Sequence, residues 1–133
     1  MSTWPLDVLK QIAMGDLYVA PFREDGTTPG TPTRVWPLVV NDTVYVRAAH
    51  GQESRWYRAA MTQHAGRIRV AETDYDATFE PAGDTDADGI DATYEAKYHG
   101  SSAVQVMQGA GPRSATVRIL PAANVTKERN SHD

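Results

Sequence analysis

The stretch Val44–Arg58, VYVRAAHGQESRWYR, sets the fold prediction for the rest of the chain. Its first four residues alternate between valine and a larger side chain, which predicts a β-strand with one apolar face. The small residues that follow end at Gly51, which can take a positive φ and permits a tight turn. Ser54 is a suitable N-cap, and Trp56 begins an apolar stripe at helical spacing. The stretch therefore predicts a strand, a turn and a helix in direct succession.

Arginine side chains lie on both sides of this turn, at Arg47, Arg55 and Arg58. Guanidinium groups bind carboxylate and phosphate oxygens in pairs, and the free N–H groups and dipole at a helix start also favour anions. These residues therefore indicate an anion site at the turn. The alternative interpretation is that the arginines form a solvated surface and that Trp56 belongs to the core.

Composition limits the classes of protein to which the chain can belong. It has 133 residues, a net charge of −4 and no cysteine. We expect one domain over residues 1–121 and a polar, flexible tail over 122–133. The acidic balance argues against nucleic acid or an anionic membrane as a partner, and the lack of cysteine excludes disulfides, thiolate zinc sites and thiol nucleophiles. Because no secretory pattern or long apolar run is present, we expect a cytoplasmic protein.

Short apolar alternations separated by turn residues predict a mainly antiparallel sheet. Asn41–Asp42 suits a tight hairpin turn, and Gly109–Pro112 is expected to break the chain. The strands are expected at residues 16–22, 33–40, 43–47, 67–70, 76–80 and 114–120, and the helices near the N-terminus, from residue 54, and over 86–98. This pattern indicates a mainly β (α+β) fold, an antiparallel sheet or small barrel with peripheral helices.

An acidic segment matches the spacing of a calcium-binding loop, D-x-D-x-D-G-x5-E. Asp84, Asp86, Asp88 and Glu95 would supply oxygen ligands, and Gly89 would make the sharp turn. An EF-hand also needs an entering helix, whereas the preceding residues alternate as a strand and end in proline. The alternative is an acidic helix N-terminus, where negative charge is favoured.

Few side chains suggest catalysis directly. None of the four histidines has metal-pair spacing, and nucleophile-elbow and phosphate-loop motifs are absent. Lys97 and Tyr98, which follow Tyr94 on the same predicted helix, are the candidate catalytic residues. Their alternative roles are a charge favoured at a helix C-terminus and an aromatic ring packed inward with its hydroxyl at a polar edge.

Three segments of the chain resemble a family of small bacterial proteins of unknown function that is grouped with the FMN-binding split barrels. They are TRVWPLVVNDTVYVRAAHGQESRWYRAA at 33–60, DATYEAKYHG at 91–100 and ATVRILP at 115–121. More distantly, the order of elements is similar to that of the deazaflavin-dependent nitroreductases. The resemblance implies a small antiparallel split barrel with peripheral helices, a homodimer, and FMN or deazaflavin as a cofactor.

The resemblance also implies roles for individual residues. Arginines would hold phosphate or ribityl oxygens, the backbone of Ala48–Gly51 would approach the ring, and Lys97 and Tyr98 would face the substrate. The implied cofactor-binding residues are Arg34, Arg47, Ala48, Gly51, Ser54, Arg55 and Trp56. One segment departs from the nitroreductase pattern, because residues 27–30 (TTPG) stand where that family has a basic-Ser-Gly signature.

Two functional hypotheses from different classes follow. The first is a flavin- or deazaflavin-binding oxidoreductase that acts on a small molecule, with hydride chemistry supplied by the cofactor. The second is a cofactor-free protein on the same barrel that binds a small ligand or acts as an accessory protein, and the missing loop signature favours it. Calcium binding over Asp84–Glu95 is a third hypothesis.

Overall fold

A seven-stranded antiparallel sheet, curled into a half-barrel, is the centre of the computed structural model, which describes residues 4–82, 87–101 and 103–122. The strands are β1 Leu17–Pro21, β2 Thr33–Val35, β3 Leu38–Val40, β4 Thr43–Arg47, β5 Ala65–Val70, β6 Thr73–Pro81 and β7 Thr116–Pro121. Their order across the sheet is β2-β1-β5-β6-β7-β4-β3. The expected fold class, a small antiparallel split barrel with peripheral helices, is confirmed.

The two edge strands of the sheet are neighbours in the chain. Only Trp36 and Pro37 separate the end of β2 from the start of β3. Three Cα steps from Val35 to Leu38 span at most about 11 Å, so the two edges approach each other and the sheet must curl. The prediction of one continuous strand over residues 33–40 is therefore wrong. Pro37 supplies a physical reason, because it has no N–H for a strand ladder and restricts the residue before it.

Two tight turns use backbone conformations with positive φ. Asn41 (φ 52°) and Asp42 (φ 62°) join β3 to β4, which confirms the predicted hairpin. Ala71 (φ 49°) and Glu72 (φ 69°) join β5 to β6 in the same way. Asparagine and aspartate tolerate this region, whereas alanine and glutamate give no signal for it. The first hairpin can therefore be read from the sequence, and the second cannot.

Helices surround the sheet in the described ranges. They are α1 Leu6–Met14, α2 Arg55–Gln63, α3 Ala87–Lys97, α4 Ala103–Met107, α5 Ala110–Ser114 and a 3-10 helix at Gly51–Glu53. Helix α2 starts after Ser54, as predicted. Residues Gly109–Pro112, expected to break the chain, instead form the N-cap and the first three residues of the short helix α5. None of the helices in these ranges is long and apolar enough to cross a membrane.

The hydrophobic core has two parts. The larger part lies between α1 and one face of the curled sheet, where the indole N–H of Trp4 donates a hydrogen bond to the carbonyl of Ile119 at 3.0 Å. The smaller part lies under α3 and includes Leu38, Tyr45 and Tyr94. Strand β4 is therefore buried on both faces, which the alternation in its sequence does not indicate.

Strand β1 passes so close to Gly66 on β5 that a side chain there would collide with backbone. A Cβ at Gly66 would lie 2.5 Å from the Cα of Pro21 and 2.6 Å from the carbonyl oxygen of Ala20. We expect Gly66→Ala to lower the free energy of unfolding, measured by urea denaturation, by about 1–3 kcal/mol. Gly111→Ala is the control, since no atom lies within 4 Å of a Cβ there. Equal stability of the two variants would contradict this packing.

Candidate functional site

The residues predicted to hold a cofactor lie in three separate places. Arg47 lies inside the protein, whereas Arg34 is on β2 beside Asp16, with its Nη2 3.1 Å from a carboxylate oxygen of that residue. Arg55 starts α2, beyond the opposite end of β1, near Phe22. The chain from Asp16 to Phe22 spans about 20 Å at the rise of an extended strand. Arg34 and Arg55 therefore cannot hold the same phosphate group.

Arg47 is buried at the end of β4, and its guanidinium binds the protein itself. Its side chain is 0% exposed and contacts the carboxylate of Asp91 on α3. Nε donates to the hydroxyl of Thr116 at 3.1 Å, and Nη1 donates to the carbonyl of Met107 at 2.9 Å. Nη2 donates to the carbonyl of Ala87 at 3.4 Å. This guanidinium therefore joins β4 to β7, α3 and α4, and it has no surface to offer a ligand.

Asp91 and Tyr94 extend the contacts around Arg47. The second carboxylate oxygen of Asp91 accepts a hydrogen bond from Arg113 on α5, so one carboxylate lies between two guanidinium groups. The backbone N–H of Arg47 donates to the hydroxyl of Tyr94, which donates in turn to the carbonyl of Trp36, each at 3.1 Å. Burial raises the pKa of Tyr94, so its hydroxyl keeps the proton that it donates. We call this set the Arg47 clamp.

The candidate catalytic residues, Lys97 and Tyr98, lie where the chain crosses between the edge strands. The ammonium of Lys97 donates to the carbonyls of Pro37 at 2.7 Å and Ile12 at 3.0 Å. The hydroxyl of Tyr98 donates to the same Pro37 carbonyl at 3.2 Å, and its ring stacks on Trp36 with centroids 4.3 Å apart. Through these contacts both residues hold the crossing in place.

The glycine turn after β4 packs against α5. Ala48 and Gly51 are buried, and Gly51 takes a φ of 70°, which glycine adopts without strain. A Cβ at Gly51 would lie 3.5 Å from the carbonyl oxygen of Gly111. The side-chain amide of Gln52 donates to the carbonyl of Ser114 at 3.1 Å. The close backbone approach that the sequence indicated is made here by a neighbouring helix.

An open groove of about 420 Å³ lies between α2 and the chain that leaves β1. Its helical wall comes from residues three or four positions apart, which share one face of α2. Ser54 precedes this wall and its side chain makes no capping hydrogen bond, while Trp56 turns towards the main core and is half-buried. We call it the arginine groove; its lining residues are Phe22, Arg23, Glu24, Arg55, Arg58, Ala59, Thr62 and Gln63.

Arginines in the described ranges fall into two groups. Six of the nine form an ion pair with a carboxylate: Arg34, Arg47, Arg67, Arg69, Arg113 and Arg118. The other three, Arg23, Arg55 and Arg58, form none with any described residue, and all three line the arginine groove. A neighbouring cleft gives the contrast, because its Arg67 and Arg69 already pair with Asp76 and Asp74. The arginine charge that no carboxylate pairs in the described ranges is therefore concentrated in one place.

A hydrogen-bonded loop fixes the wall that carries Arg23. One carboxylate oxygen of Asp25 accepts the backbone N–H groups of Thr27 and Thr28 at 2.9 and 2.8 Å, and the other accepts the Thr28 hydroxyl. These bonds, led by that of the Thr28 hydroxyl, lower the pKa of Asp25 to about 2. The backbone N–H of Arg23 also donates to the carbonyl of Thr28 at 2.8 Å. The loop is therefore closed on itself, and Arg23 projects from a defined turn.

Two of the four carboxylates in the calcium hypothesis, Asp84 and Asp86, lie outside the described residues. Asp88 and Glu95 both belong to helix α3, whose regular rise separates them by about 10 Å. A calcium loop would instead bend both around one ion. Residues 88–95 therefore do not adopt that loop, and the described ranges contain no cluster of three or more metal-ligating side chains.

Sequence reasoning missed Arg23 and with it the second wall of the groove. Arg55 and Arg58 are visible in the sequence as neighbours of a helix start, but Arg23 is more than 30 residues away in a turn-rich loop. Nothing in a local pattern places that loop beside α2. One sequence signal does indicate that Arg55 and Arg58 are unpaired: no acidic residue lies at helical or cross-strand spacing from either of them.

Comparison with known proteins gives one family. A family model described as "Uncharacterized protein conserved in bacteria (DUF2255)" matches residues 8–119, a range that begins within α1 and ends within β7. A search of curated proteins gives no match.

Removal of Arg47 tests the clamp. Without the Arg47 side chain, Asp91 and the carbonyls of Met107 and Ala87 lose a buried partner. We therefore expect Arg47→Met to lower the free energy of unfolding by about 3–5 kcal/mol. Arg67→Met removes an exposed pair with Asp76 and should cost about 1 kcal/mol or less. Chemical denaturation measures both. Similar losses in the two variants would show that Arg47 is not part of a buried network.

Lys97 gives a prediction of pH dependence. Burial lowers its pKa from 10.5 to about 8, an effect that the charge of Asp16 partly offsets. Above pH 8 the unfolded chain keeps a proton that the folded chain releases, so folding gains stability from this group as pH rises. We expect the stability of the wild type relative to Lys97→Met to rise between about pH 8 and pH 9.5, below the range where Tyr98 would ionise when unfolded. A difference that stays flat or falls would contradict the burial of this ammonium.

Proposed function

The chain belongs to the bacterial family DUF2255, and we propose that it binds a small anionic molecule with an apolar part in the arginine groove. The observation that carries this proposal is that the three arginines with no carboxylate partner among the described residues all line one groove. Guanidinium groups that face a common space raise the local positive potential and bind anionic oxygens in pairs. A protein of net charge −4 that gathers unpaired arginines in this way is suited to capturing an anion locally.

The lining of the groove also favours a ligand with an apolar part. Phe22 and Ala59 are half-buried between the charged side chains, so their exposed surface can pack against a ring or an alkyl group. The volume of about 420 Å³ lies within the range of small-molecule sites. Thr62 and Gln63 add polar atoms at one end. An anionic head with a ring-bearing or aliphatic body meets all of these features.

A flavin- or deazaflavin-dependent oxidoreductase is the second candidate function. The curled antiparallel sheet favours it, and FMN combines a phosphate with a ring. The seven residues expected to hold such a cofactor do not fit it as a set, because Arg34 and Arg47 are engaged elsewhere. In this second candidate function, only the phosphate of FMN would therefore bind in the arginine groove, and any redox chemistry would be the cofactor's own. A homodimer and a cytoplasmic location are further proposals that rest on the sequence resemblance and on composition.

The binding proposal predicts a thermal shift that depends on the groove. FMN, phenyl phosphate and benzoate are screened against the wild type, where a ligand at a hundredfold excess over its Kd adds about 2.7 kcal/mol of stability. For any ligand that shifts the melting temperature of the wild type, we expect Arg55→Gln and Arg58→Gln each to lower the affinity about tenfold. The reason is that each variant loses a charge-assisted hydrogen bond. Arg67→Gln, an exposed arginine outside the groove, is the matched control. Binding that is unchanged in the groove variants would contradict the proposal.

The two candidate functions differ in one optical property. A flavin held by the protein keeps a visible absorption band, shifted from that of free FMN, after unbound cofactor is removed by gel filtration. A retained band that the Arg58→Gln variant loses would support the oxidoreductase. Binding of phenyl phosphate without any retained flavin or deazaflavin would support a cofactor-free binding protein on the same barrel.

A further inference from the structure

The head group that fits the arginine groove can be inferred from how its charges are arranged. Arg23 projects from the loop after β1, and Arg55 and Arg58 lie nearly one turn apart on α2. The ligand head therefore meets guanidinium groups from two walls, one on a hydrogen-bonded loop and one on a helix. Each guanidinium can donate two parallel hydrogen bonds to anionic oxygens. Three such donors exceed what the two oxygens of a carboxylate can accept.

Counting charge in the groove gives the second constraint. The lining residues contain three arginines and one acidic residue, Glu24, so they carry a net charge of +2. Asp25 lies next in the chain and outside this lining; its ionised carboxylate accepts hydrogen bonds from its own loop and also interacts with the charge of Arg23. The first turn of α2 adds the positive end of a helix dipole near Arg55. A single negative charge on the ligand would leave the lining residues with excess positive charge, whereas two would balance their net charge of +2.

We propose that the arginine groove recognises a dianionic phosphate monoester in preference to a monoanionic sulfate ester or carboxylate. A phosphate monoester carries close to two negative charges at neutral pH and presents three terminal oxygens, which matches three guanidinium groups and a net charge of +2. This inference rests on the proposed function, since it names the ligand class of the same site. The apolar part of the ligand packs on Phe22 and Ala59.

The test compares two ligands of nearly the same shape and different charge. Phenyl phosphate and phenyl sulfate both carry a phenyl ring and three terminal oxygens, so their difference in affinity isolates the second charge. Isothermal titration calorimetry is done in phosphate-free buffer of low ionic strength. At about pH 8 we expect phenyl phosphate to bind about tenfold more tightly, and near pH 5, where it becomes a monoanion, we expect the preference to disappear.

Variants locate the preference in the groove. Arg23→Gln removes one unit of charge from the loop wall and should reduce the preference for phosphate several-fold. Arg67→Gln, whose arginine pairs with Asp76 on the sheet, should leave the preference unchanged. Both positions are exposed, and thermal melting of each variant without ligand checks that the fold is retained.

The outcomes separate this inference from the proposed function. A preference for phenyl phosphate that decreases as the pH is lowered, and that is smaller in Arg23→Gln, supports both the inference and the proposed function. Equal binding of the two esters, sensitive to Arg58→Gln, overturns the dianion preference and leaves the anion-binding function standing. If neither ester binds the wild type, both proposals are overturned. A preference that persists at low pH shows that charge does not cause it and overturns the inference.

Discussion

The buried guanidinium of Arg47 is the contact on which the placement of the helices over the sheet depends. Arg47 is the last residue of β4, and its guanidinium is bonded to residues of α3, α4 and β7. Asp91 links this guanidinium to α5 through Arg113. A buried charge without partners costs several kcal/mol, so these elements must stay together for the charge to remain satisfied. Tyr94 ties the same network to the Trp36 carbonyl, where the chain crosses between the sheet edges. One side chain thereby couples closure of the sheet to the packing of its covering helices.

The arginine groove follows from how the remaining charges are distributed. Arginines of the sheet pair with carboxylates on neighbouring strands, as Arg67 does with Asp76 and Arg69 with Asp74. Their charge is therefore neutralised within the fold. The arginines on the outer face of α2 form no ion pair with a described residue, although Glu24 lines the same groove, and the loop after β1 brings Arg23 to this face. Clustering like charges without a partner destabilises a folded chain, since they repel each other. An anionic ligand would remove that repulsion, which is the physical basis of the binding function that we propose.

Local sequence patterns predict most of the strands and helices, but they do not predict which side chains of these elements are buried. The strand, turn and helix of Val44–Arg58 and the Asn41–Asp42 hairpin follow from alternation and turn chemistry, which are properties of neighbouring residues. The split of residues 33–40 between the two sheet edges depends on long-range pairing that no local pattern encodes. Arg47 alternates like a solvent-facing residue, and it is buried by α3, α4 and β7, which lie 40 or more residues later in the chain. Arg23 joined the site for a similar reason, since tertiary packing alone places its loop beside α2.

The most direct measurement of the central claim is a two-dimensional ¹H–¹⁵N correlation spectrum of the arginine side-chain Nε–H groups during titration with phenyl phosphate. Each guanidinium reports on its own environment, so the spectrum separates the three groove arginines from the six described arginines that pair with carboxylates. The account predicts saturable shifts for Arg23, Arg55 and Arg58, with Arg47 unchanged in the interior. Shifts confined to Arg34 and the paired arginines of the sheet, or no saturable shift in any arginine, would contradict it.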